Sequence, residues 1–74
     1  MERKYMYMKN FYELIDENFE EIDKWLKENA KGKVVSSTAL QLKFKIPQAR
    51  FYLVLAKLRQ AGYPYHKGKL TIPS

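Results

Sequence analysis

One proline limits what this chain can fold into more than any other residue. It divides the stretch from 38 to 62, TALQLKFKIPQARFYLVLAKLRQAG, into two short helical patterns. Pro47 lacks a backbone donor and pushes Ile46 out of the helical region, so the stretch cannot run as one helix. Upstream, Thr38 is placed to cap a first helix through its hydroxyl, and Leu40 and Phe44 share a face at four-residue spacing. Proline is tolerated in a first helical turn, so a second helix is expected to begin beside Gln48. At 100° per residue, Val54, Leu55, Leu58 and Ala61 fall within about 80° of Phe51 and form one apolar stripe. Gly62 then suits the left-handed position just past a helix end. Two helices meeting across a tight turn are expected.

The clearest long helix begins at Asn10, with Glu13 three residues on in the arrangement of a capping box. Phe11, Leu14, Ile15, Phe19, Ile22, Trp25, Leu26 and Ala30 follow at helical spacing. An end near Lys31-Gly32 would make this helix about 33 Å long. A chain of 74 residues buries only about 60% of its unfolded surface, so part of so long a helix is expected to pack against a second copy. Tyr5, Met8, Tyr12, Phe19 and Trp25 are the expected dimer-interface residues. Residues 1–9, MERKYMYMK, read equally as a short alternating strand or as a continuation of the helical seam. They form an N-terminal extension, folded over its own core or pairing with a second subunit, ahead of a domain at residues 10–74. Near the other end, YPYHKGKLTIP holds two short strand patterns around Lys67-Gly68, a hairpin signal. That loop would set His66 opposite Lys69, and Tyr65 and Leu70 over the core.

Charge is segregated along the chain. Residues 1–28 hold all eight acids against five bases, a balance of −3, whereas residues 29–74 hold nine bases and no acid, so the net charge is +6. A field of one sign steers polyanions, which points to an anionic partner for the C-terminal half. Other classes are poorly supplied. With no cysteine there is no disulfide or thiolate metal site, and His66 is the single histidine. No His/Asp/Glu cluster has metal-ligand spacing and no catalytic set is visible, so neither an enzyme nor a cofactor is expected. No apolar run approaches the ~20 residues that cross a bilayer, and no charged-then-apolar leader is present. A cytoplasmic protein without membrane contact is the expectation.

The stretch IPQARFYLVLAKLRQAG resembles the recognition-helix region of the winged helix-turn-helix DNA-binding family. Ile46, Phe51, Leu55, Leu58, Ala61 and Gly62 each land on a position of that family's pattern, and the Lys67-Gly68 hairpin is similar to its wing. The resemblance covers roughly residues 11–73. It implies an α+β fold with a long N-terminal helix, a short strand at Lys33-Val34-Val35 joining the wing, two helices and a C-terminal β-hairpin. It also implies a transcriptional or replication regulator that binds double-stranded DNA as a homodimer. Helix 48–60 would enter the major groove, and wing 63–72 would lie on the flanking backbone. Gln48 and Tyr52 would reach base edges and Leu53 a thymine methyl. Arg50 and Lys57 would hold phosphates beside the groove, Lys43 and Lys45 would do so at the turn, and His66, Lys67 and Lys69 at the wing. About five phosphates neutralised per subunit would give a logarithmic salt slope of roughly −4 to −5. The acidic face of the long helix would be turned away from DNA. The chain departs from the family pattern by carrying Lys45 in the turn and Tyr52, Leu53 and Ala56 on the outward helical face. That apolar face fits an alternative function, a winged-helix module that docks through Tyr52 and Leu53 on a protein partner in a larger assembly.

Overall fold

A computed structural model of the protein describes residues 10–74. The 1–9 extension, with Tyr5 and Met8, lies outside the described residues. The first helix, α1 (Phe11–Asn29), starts at the expected capping box. The Glu13 N–H donates to Asn10 Oδ1 at 2.8 Å, and the Asn10 N–H donates to Glu13 Oε1 at 3.0 Å, so two orphan donors of the helix end are satisfied reciprocally. Its 19 residues span about 28 Å, less than expected, because Ala30 leaves helical geometry and Gly32 takes a φ of +74°. There the chain turns into the sheet, with the Gly32 N–H donating to the Ile72 carbonyl at 2.8 Å.

Strand β1 (Val34–Ser36) runs straight into helix α2 (Ser37–Phe44). Ser36, not Thr38, caps α2: its backbone is extended and its Oγ accepts the Ala39 N–H at 3.3 Å. Sheet register decides this, because Ser36 pairs with Lys69 and is held extended as the last strand residue. After α2, Lys45 turns the chain in the left-handed region at φ 54°. Helix α3 (Gln48–Gln60) follows Pro47 as expected. It closes in a Schellman arrangement, Tyr63 N–H to Leu58 carbonyl and Gly62 N–H to Arg59 carbonyl, with Gly62 at φ +107°.

Strands β2 (Tyr65–His66) and β3 (Lys69–Thr71) form the hairpin. The antiparallel sheet has the order β1-β3-β2, with His66 opposite Lys69 and Tyr65 opposite Leu70. Lys67 and Gly68 make the two-residue loop with φ of 48° and 80°, the positive pair of a type I′ turn. The Ser37 N–H donates to the Gly68 carbonyl at 2.8 Å, tying the loop to the start of α2. Among the described residues three helices and a three-stranded antiparallel sheet make an α+β fold in an order compatible with a winged-helix layout.

The core gathers Ile15, Ile22 and Leu26 from α1, Leu40 from α2, Phe51, Val54 and Leu58 from α3, and Leu70 from β3. Ala30, Ile46, Tyr63 and Ile72 complete it from the connections. Ala61, expected on the apolar stripe, lies past the end of α3 and is exposed. Tyr63 is buried with its hydroxyl donating to Asp23, whose other oxygen lies 3.0 Å from Lys27 Nζ. Burial foremost, then this carboxylate, pushes the Tyr63 phenol above its ordinary range, because both disfavour the phenolate.

Lys45 and Lys67 are the two non-glycine residues with positive φ among the described residues. The left-handed region costs most side chains about 1–2 kcal/mol, and Asn less because its short polar side chain hydrogen-bonds locally, so Lys67→Asn, which suits a type I′ turn, should stabilise the domain by roughly 0.5–1 kcal/mol. Thermal unfolding followed by circular dichroism should then move up by a few degrees. An unchanged or lower midpoint would mean the loop is not held in this turn.

Candidate nucleic-acid interface

Helix α3 has two flanks that meet different neighbours. On one, Arg50 Nε donates to Asn18 Oδ1 of α1 at 2.9 Å, and Lys57 Nζ lies 2.7 Å from Asp16. Lys57 also stands 5.8 Å above the Phe19 ring. Both bases expected to flank a DNA groove are therefore engaged with α1. Asp16 stands beside α3 rather than turned away from it, so this flank carries an acid where a phosphate would approach Lys57. A helical wheel of α3 alone does not reveal this, since Asn18 and Arg50 are 32 residues apart in the sequence.

The other flank holds Gln48, Tyr52 and Arg59, and it leads to the hairpin. The Arg59 guanidinium lies 5.3 Å from the Tyr65 ring centre, a cation–π geometry. Arg59 lies opposite Arg50 on the helical wheel, the second basic flank of the helix. Between the end of α3 and the hairpin lies an open cleft of about 450 Å³ lined by Ala56, Arg59, Gln60, Tyr63, Pro64 and Tyr65. Tyr52 is 75% exposed, and no hydrogen bond or ring contact joins it to another described residue.

The remaining bases are dispersed around these elements. Lys45 is exposed at the turn, and His66, Lys67 and Lys69 are exposed on the hairpin. Lys43 stands 4.9 Å above the Trp25 ring, which itself meets Phe44 edge-on. Lys43 thus faces α1, not the exposed flank of α3. No acid beyond Glu28 offsets these charges.

The outward centre of α3, Ala49, Leu53 and Ala56, is small or apolar. Leu53 lines a shallow groove of about 240 Å³ with Tyr12, Ile15, Ala56 and Lys57. Tyr12 is exposed there and Phe11 adjoins it. Of the expected dimer residues, Phe19 and Trp25 pack partly buried against this chain's own core, which leaves Tyr12 as the outward-facing one within the described residues. Among the described residues no helix is long and apolar enough to cross a membrane, and no group of three or more His, Cys, Asp or Glu is placed to hold a metal ion.

Comparison with protein-family models, with curated proteins and with solved structures finds no match to this chain.

Proposed function

We propose that the protein is a winged-helix DNA-binding protein, acting as a transcriptional or replication regulator from the cytoplasm. The observation that carries this reading is the acid-free run of nine bases from residue 29 onward, which places exposed charge on the turn before α3 and on the hairpin after it. Helix α3 approaches the DNA with the turn on one side and the wing on the other, an arrangement that suits a groove about 12 Å wide. Lys45, Arg59, Lys67 and Lys69 are the phosphate-neutralising set. Arg50, Lys57 and Lys43, held against α1, act as supports of the fold.

Four contacts correspond to a logarithmic salt slope of about −3.5 on duplex DNA. Fluorescence anisotropy with a random-sequence 25-base-pair duplex across several salt concentrations tests the reading. Arg59→Ala or Lys69→Ala should flatten the slope by about 1, and Lys57→Ala should leave it unchanged. Absence of binding at low salt would remove the proposal.

A second reading has its own observation. Phe11, Tyr12, Tyr52 and Leu53 are exposed hydrophobic residues, and Tyr12 and Leu53 share one groove. Such a surface serves a protein contact, either with a second copy in a homodimer or with another subunit of an assembly. Salt separates the two readings, since burial of apolar surface is far less salt-sensitive than phosphate neutralisation.

A further inference from the structure

The polar inventory of α3 is poor for reading base pairs. Its outward centre is Ala49, Leu53 and Ala56, and its α1 flank carries Asp16 and already engaged bases. Recognition of paired bases needs donors and acceptors aimed at their edges, and beyond Gln48, Gln60 and the Tyr52 hydroxyl these are scarce on the exposed side of α3. Aromatic and guanidinium surface is not. Tyr52 is 75% exposed, Arg59 lies against the Tyr65 ring, and the two groups share one flank of α3, seven residues and so about 10 Å apart along the axis. The cleft of about 450 Å³ between Arg59, Pro64 and Tyr65 opens beside them.

We infer that this flank and cleft take unpaired nucleobases of a single-stranded nucleic acid, one stacked on the Tyr52 ring and the next in the Arg59–Tyr65 cleft. The inference rests on the nucleic-acid reading above and names its substrate class. Stacking asks only for a flat face, which every base has in single strands and which pairing and stacking hide in a duplex. Tyr52 offers such a face, mostly exposed and with no ring contact to another described residue. Arg59 closes one side of the Tyr65 ring and keeps its charge for a phosphate. The exposed Lys67 and Lys69 continue the positive surface along the hairpin, as a strand of phosphates requires.

The test compares a 25-nucleotide oligothymidine with a 25-base-pair duplex by anisotropy at one salt concentration. The expected result is at least fivefold tighter binding of the single strand. Tyr52→Ala should lower single-strand affinity about tenfold and duplex affinity less than twofold, while Tyr52→Phe should retain single-strand binding. Circular dichroism of each variant confirms that the fold is kept. Equal or tighter duplex binding, or a single-strand affinity indifferent to Tyr52→Ala, would overturn the inference while leaving the DNA-binding reading standing. No binding to either would remove both.

Discussion

Lys67→Glu/Lys69→Glu should lower nucleic-acid affinity by at least about 100-fold at 50 mM salt. The two lysines bracket Gly68 at the tip of the hairpin and both are exposed, so neither reversal disturbs the core. Each phosphate contact contributes about 0.9 to the logarithmic salt slope on duplex DNA. Extrapolated from 1 M to 50 mM salt, two such contacts amount to roughly 200-fold, and the introduced carboxylates add repulsion. The salt slope of the variant should fall by close to 2. Anisotropy titrations of both proteins over the same salt series measure this, with the melting curve as a control for folding. A loss smaller than about fivefold would take the hairpin out of the interface.

The second large effect concerns stability. Leu58→Ala should lower the melting midpoint by about 12–40 °C. Leu58 is fully buried, α3 closes over it, and its carbonyl accepts the Tyr63 N–H of the closing turn. Truncating a buried leucine costs about 3–5 kcal/mol, because transfer free energy and a residual cavity add. At 0.05–0.15 kcal/mol per residue, a domain of this size has only about 4–11 kcal/mol in total. Each kcal/mol corresponds to roughly 4–8 °C. The exposed Tyr52→Ala provides the contrast, expected within about 0.5 kcal/mol of the parent. A Leu58→Ala midpoint within 5 °C of the parent would contradict the packing described.

Much of the architecture was legible in local signals. Asn10 and Glu13 form a capping box that needs only each other, Pro47 separates two helices whatever surrounds them, and Lys67-Gly68 fixes the hairpin register by loop length. What depended on distant partners was not legible. Ser36, Ser37 and Thr38 are all competent caps, and the choice falls to Ser36 because strand pairing with Lys69 holds it extended. Tyr63 follows a glycine and precedes a proline, a loop context, yet it is buried because Asp23 on α1 accepts its hydroxyl. The candidate site divides in the same way. Periodicity correctly left Tyr52 outside, but it could not show that Arg50 and Lys57 are held by Asn18 and Asp16, and so it assigned them the role now given to Arg59. Trp25 was expected at a dimer interface, and its ring packs on Phe44 of the same chain.

The middle strand of the sheet is the last to be made. β3 lies between β1 and β2, and Ile72 just beyond it closes hydrogen bonds to Gly32 and Lys33. A ribosome therefore makes α1, β1, α2 and α3 before the strand that joins β1 to β2. Until Leu70 and Ile72 are made, Leu26, Leu40 and Leu58 lack two of the residues that share their core. The hydrogen bonds of Ile72 to Gly32 and Lys33 can form only once Ile72 is free. Translation pauses upstream of that residue would lengthen the interval in which chaperones or neighbouring chains can reach those leucines.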